Sequence, residues 1–320
     1  MKRPRLELLT FAALAALLLA MAGCPAPPIR PTPAASGTGP LRILAANHPL
    51  QYFAGRIAGT AAVVTQPAPA GEDPADWHPL PAQIRTFIHE CQKADLMLLN
   101  TPGYSRWLDW GSWAEARMVH TTGTFTDHLL RLEEPSQAGT HRHGNGTAHG
   151  HGEWAGTVWL DPQLALRQAQ ATAAALARLR PTQAAEFDAN LRGLENDLQA
   201  LHRDWTQLLQ GHEELPLLAS HPVYQYFQKR YRLNLRSVHW EPDQMPDEAQ
   251  WAELEALRQK HPARLMLWEG TPLPAVGERL REMGIAVVVV SPGFAAPQKG
   301  DHLDLMRRNV AAMRAALSEP

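Results

Sequence analysis

Between His141 and His151 the chain reads HRHGNGTAHGH, which sets His141, His143, His149 and His151 among glycines and small polar residues. Imidazole is the commonest metal-ligating side chain and suits zinc, copper, nickel and iron. The run has no apolar face and its glycines keep the backbone loose, so it cannot pack a core. Four of the chain's 15 histidines in one such loop point to transition-metal contact rather than chance in a solvated segment. A second set of donors stands where short apolar runs end. His48 follows LRILAA, His221 follows LPLLAS, Glu269 closes RLMLWE, and His78 lies in the loop after AAVVT. Neutral imidazoles with one carboxylate suit a closed, roughly tetrahedral zinc site, and manganese is an alternative. Each donor also has a plainer role open to it. His48 can cap the helix that follows it, His78 precedes Pro79 in a solvent-facing loop, and Glu269 can orient His221 by a hydrogen bond. His239, in the turn-rich SVHWEPDQMP, is a reserve candidate.

The elements that must position these groups are α/β in pattern. Candidate strands are Leu41–Ala46, Ala61–Thr65, Asp95–Asn100, Leu215–Ser220, Arg264–Glu269 and Ile285–Ser291, with helical stretches such as LQYFAGRIAG and DEAQWAELEALRQKH between most of them. This alternation predicts largely parallel sheets, and ligands of such sheets bind beyond the carboxyl ends of the strands. The middle differs. Pro162–Arg180 is a helical stretch rich in Ala and Leu, and Pro181 suits the first turn of a new helix. Phe187, Leu191, Leu194, Leu198, Leu201, Trp205 and Leu208 then recur at spacings of four and three, one apolar stripe along a long helix. The organisation expected is an N-terminal α/β lobe over 41–180 that carries the His-rich loop 136–155, a connecting helix over 181–212, and a C-terminal α/β lobe over 213–320.

Lys2, Arg3 and Arg5 precede LLTFAALAALLLAMAG, a charged n-region and apolar h-region that predict a secretory signal peptide over 1–23. Met21-Ala22-Gly23-Cys24 resembles a bacterial lipobox, which implies cleavage before Cys24 and lipidation of its thiol. Residues 24–40, rich in Pro, Ala, Ser and Gly, read as a tether holding a domain off the membrane. With Cys24 lipidated, Cys91 is the one thiol left and no internal disulfide can form; its helical setting predicts a packed residue. A net charge of −2 argues against a nucleic-acid partner. No HExxH or comparable catalytic spacing is present, so an enzyme is not expected.

Several blocks, in order and spacing, resemble the zinc- and manganese-binding solute receptors of bacterial metal ABC importers, the ZnuA/TroA-like lipoproteins. HPLQYFAGRIAG is similar to the family's first helix, GEDPADWHPLPAQI to its Asp-Pro-His loop, and ADLMLLNTPGYSRWLDW to its following strand and turn. TVWLDPQLA, SHPVYQYFQKRYRLN and RLMLWEG resemble later blocks, and the His-rich loop stands where zinc receptors of this family often carry one. The resemblance implies two α/β lobes joined by one long helix, with the metal held in the cleft. It also implies a monomeric receptor that hands Zn2+, or Mn2+, to an ABC permease from the periplasmic or extracytoplasmic face of the cell envelope.

The family's usual ligands are three histidines and an Asp or Glu. Of these positions only His221 keeps its donor; the others align with Ala75, Thr157 and Ser291. Alanine has no donor atom, and a neutral hydroxyl is a poor substitute for imidazole or carboxylate. Two explanations stay open. The site is rebuilt from His48, His78, His221 and Glu269, with His141, His143, His149 and His151 as an auxiliary set. Alternatively, the cleft takes a metal chelate or small organic solute, against which Trp77, Trp159, Tyr224, Trp240 and Trp268 stack.

Overall fold

A computed structural model describes residues 39–69, 72–75, 77–132, 153–241 and 244–318. The predicted signal peptide, Cys24, and His141, His143, His149 and His151 lie outside the described residues.

The first half alternates β1 (Leu41–Ala45), α1 (His48–Ala58), β2 (Ala62–Thr65), α2 (Ile84–Gln92), β3 (Leu96–Leu99) and β4 (Met118–His120). All its strand pairs are parallel, in the order β2-β1-β3-β4. β3, Leu-Met-Leu-Leu, is buried at every position, as a central strand covered on both faces must be. α1 starts where Asn47 accepts a hydrogen bond from Leu50 N–H at 3.0 Å and Pro49 sets the first turn; it ends at Gly59, whose φ of +53° favours a residue without a side chain.

Two helices join the halves. α3 (Pro162–Leu179) is capped by Asp161, and a short 3-10 turn at Pro181–Gln183 leads into α4 (Ala184–Leu209). The predicted stripe on α4 is buried from Phe187 through Trp205, but at the helix end Leu209 rather than Leu208 completes it. Asp197 on α4 takes ion pairs from Arg56 of α1 at 2.9 Å and from Arg307 of the last helix at 3.2 Å, tying both halves to this spine.

The second half repeats the first with β5 (Leu217–Ala219), α5 (Gln225–Tyr231), β6 (Leu235–Ser237), α6 (Glu248–Lys260), β7 (Leu265–Trp268), α7 (Pro274–Glu282), β8 (Ala286–Val289) and α8 (His302–Ser318). Its sheet is again all parallel, in the order β6-β5-β7-β8. The expected α/β class and parallel sheets are therefore present in both lobes. β4 and β6, three residues each and at sheet edges, are strands that the hydrophobic pattern does not announce.

The largest core cluster runs through both lobes by way of α1, α3, α4 and α8. The outer face of the C-terminal sheet has its own core around Trp240, Trp251 and Trp268, and the outer face of the N-terminal sheet has another around Trp107, Met97 and Cys91. Trp240 and Trp268 are thus core rings, not surfaces for a ligand. Trp77 packs edge-on against Phe87. Cys91 is buried as expected, and burial pushes its thiol up to about 12.

Candidate metal centre

The carboxyl ends of three adjacent C-lobe strands carry the donors. β5 runs into Ser220-His221, β6 into Val238-His239, and β7 into Glu269. Ladder-like bonds continue past the strands: Ser220 N–H donates to Leu267 C=O at 2.9 Å, and Trp240 N–H donates to Ser220 C=O at 2.8 Å. Because β5 lies between β6 and β7, His221 is flanked by the other two donors. Its Nδ1 lies 3.6 Å from Glu269 Oε1, and both side chains are nearly enclosed. The His221 and His239 rings are 6.4 Å apart. Tyr224 sits fully buried beside them and donates its phenol to Val290 C=O at 2.8 Å. Burial, reinforced by the Glu269 charge, holds that phenol well above its usual range.

These groups face a cleft of about 720 Å3 whose described walls include His221, His239, Tyr224 and, from the N-terminal side, Tyr104, Thr157 and Trp159. Trp159 spans the seam by donating to Pro292 C=O at 2.7 Å, and the Thr157 hydroxyl donates to Val223 C=O. Arg230 pairs with Asp161 at 2.6 Å across the same seam. The lobes are thus stitched together beside the cleft, an arrangement suited to small adjustments more than to wide hinge opening.

The positions at which the family usually places its other ligands have different work here. Ala75 is in the cleft wall, with its N–H donating to Asp73 Oδ1 at 2.8 Å. The Ser291 backbone is clasped by Asn309, which accepts its N–H at 3.0 Å and donates to its carbonyl at 2.7 Å.

Of the four donors expected to converge, His221 and Glu269 are brought together and the other two are not. His48 opens α1 at the inter-lobe seam, where its ring meets that of His302 edge-on at 5.8 Å and its Nδ1 lies 3.4 Å from Gln51 Oε1. The cap and Pro49 fix the helix start, and this aims the imidazole into the seam. His78 is exposed, in the loop before α2, and lies flat against Trp110 with ring centroids 6.1 Å apart. Among the described residues no group of three or more His, Cys, Asp or Glu side chains stands ready to hold a metal ion. His239 is the better partner for His221, and the signal for it was positional: it follows a strand that pairs directly with β5. The His-rich loop itself is not described, but its flanks are. Arg131 and Trp154 form an antiparallel bridge, Leu132 N–H donates to Glu153 C=O at 3.0 Å, and Arg131 and Trp154 both line the cleft.

Two parallel α/β lobes, joined through α3 and α4 and closing on a cleft, have the fold of a two-lobe solute-binding protein. Residues 43–316 match the family described as zinc-uptake complex component A, periplasmic, and the chain belongs to that family. It is 23% identical over 287 residues to the zinc-binding lipoprotein AdcA of Streptococcus pneumoniae, covering 86% of this chain and 56% of that protein. Against the high-affinity zinc uptake system protein ZnuA of Bacillus subtilis it is 23% identical over 286 residues, covering 87% of this chain and 88% of the other. Among solved structures, the Zn(II)-bound ZnuA-like domain of the pneumococcal AdcA superposes with a TM-score of 0.71 at 20% identity, covering 88% of this chain and all of that domain.

Proposed function

We propose that this protein is an extracytoplasmic receptor that captures zinc in the inter-lobe cleft and passes it to the permease of an ABC importer. The observation that carries the reading is the placing of His221 and His239 on the wall of the inter-lobe cleft, just beyond two paired parallel strands, with Glu269 from the next strand against His221. Two imidazoles are donors zinc favours, and its other positions are left for ligands outside the described residues. Glu269 would hold His221 in the orientation and tautomer a ligand needs. Zinc is cargo here and no chemical step is required of the cleft.

Family membership and the zinc-uptake relatives support this reading. Delivery to a permease, attachment to the membrane through a lipidated Cys24, and action as a monomer complete the proposal. His141, His143, His149 and His151 would collect metal beside the cleft, because the described flanks of their loop form part of its wall. Capture weakens at acidic pH, since a protonated imidazole cannot ligate.

The test is zinc retention by the mature chain lacking the His-rich loop, with zinc offered as chloride and as a citrate complex, compared with His221→Ala. Retention of one zinc that is lost in the variant supports the reading. Retention of neither form by the parent protein, or equal retention by the variant, overturns it.

A further inference from the structure

Among the described residues, the charge lining the cleft has the wrong sign for collecting a bare dication. Arg106, Arg131, Lys229 and Arg236 all line it, and the sole carboxylate among its described lining residues is Asp73. Glu269, which contacts His221 from behind, leaves the balance positive. Arg131 is paired with Glu153 and covers the Trp154 ring at 5.0 Å. Lys229, on the last turn of α5, and Arg236, on β6, are exposed and make no ion pair among the described residues. Clefts lined by one sign of charge concentrate ligands of the opposite sign.

The size of the cleft points the same way. A zinc ion with six waters needs roughly 180 Å3 at about 30 Å3 per water. The cleft, at about 720 Å3, lies within the range of sites for small organic ligands. Among the described residues its wall offers two imidazoles, His221 and His239, and no cluster of three donors for zinc alone. A metal that arrives already chelated needs only one or two protein donors to fill its remaining positions.

We infer that the cargo is zinc held by a small anionic polycarboxylate chelator. The chelator's free carboxylates face Lys229 and Arg236, and the metal faces His221 and His239. This rests on the zinc-receptor reading above and narrows its substrate class.

The experiment uses the mature chain, stripped of metal and desalted, titrated in 0.15 M salt with zinc chloride, zinc citrate, zinc nitrilotriacetate or citrate alone. Calorimetry gives affinity and native mass spectrometry gives composition. The expected result is a 1:1:1 complex of protein, zinc and chelator that forms at least tenfold more tightly than the complex with zinc chloride or citrate alone. The double variant Lys229→Glu/Arg236→Glu, both positions being exposed, should melt as the parent does. It should bind the chelate at least tenfold more weakly, with no loss of zinc chloride binding. The proposal is overturned if the protein takes zinc and releases the chelator, or if charge reversal leaves chelate affinity unchanged. Retention of neither zinc chloride nor either chelate overturns it together with the zinc-receptor reading.

Discussion

Lowering the pH should loosen this protein before any carboxylate titrates, and one residue should account for a measurable part of the effect. His302 begins α8, is 2% exposed, and its ring is packed among those of His48, Tyr52 and Phe53 at 5.7–5.9 Å. Its Nδ1 has no hydrogen-bond partner among the described residues. Burial first, and repulsion from His48 second, push its pKa down to about 3. In the unfolded chain the ring titrates near its ordinary 6.5. Below pH 6.5 the unfolded state therefore binds a proton that the folded state refuses. The stabilisation is complete above that value and falls as pH drops toward 3. Between pH 7.5 and pH 5.0 the loss is about 2 kcal/mol, or about 4 °C in Tm for a domain of this size. His302→Phe keeps an aromatic ring in the same packing and removes the titration. Melting the metal-stripped parent and variant at both pH values should show the parent losing about 4 °C more than the variant. His48 and His202 are also shifted down by burial, so both proteins retain some acid sensitivity and the comparison isolates His302. Parallel losses in parent and variant would refute the reasoning, because they would mean that His302 accepts a proton in the folded protein.

Two further outcomes follow from the seam and the cleft. Asp161 caps α3 by accepting Gln163 N–H at 2.9 Å and pairs with Arg230, so Asp161→Ala should cost about 2–3 kcal/mol in urea unfolding. Asp161→Asn keeps the cap and should recover about 1 kcal/mol of that; equal losses in the two variants would show that the cap contributes nothing. The double substitution Ala75→His/Thr157→His returns imidazoles to two cleft-wall positions and should tighten zinc chloride binding by roughly a hundredfold, or about 2.8 kcal/mol. An unchanged affinity would show that those side chains do not reach the metal that His221 meets.

Much of the scaffold was legible because burial imposes periodicity. β1, β3, β5, β7 and the α4 stripe each lie against a core on at least one face, so their apolar patterns are strong. β4 and β6 are edge strands of three residues, paired on one side, and Leu235-Arg236-Ser237 carries no pattern that separates it from a loop. Missing β6 had a direct consequence for the site. Without a strand there, His239 is one histidine in a turn-rich segment; with it, His239 lies two residues beyond the strand that pairs with β5 and stands beside His221.

The opposite error, at His48, shows why a strand end is a necessary condition for a ligand and not a sufficient one. β1 ends at Ala45, two residues before Asn47, and Asn47 and Pro49 start α1 at once, so the imidazole between them is turned into the seam with His302. At β5, Pro222, Val223 and Tyr224 intervene before α5 begins at Gln225, and this extra length leaves His221 at the cleft. Which strand-end donors converge thus depends on how soon the next helix starts and on which strand pairs with which. The first of these is readable from cap residues. The second is a tertiary choice, made by the packing of α1, α4 and α8 against both sheets, and no local spacing in the chain encodes it.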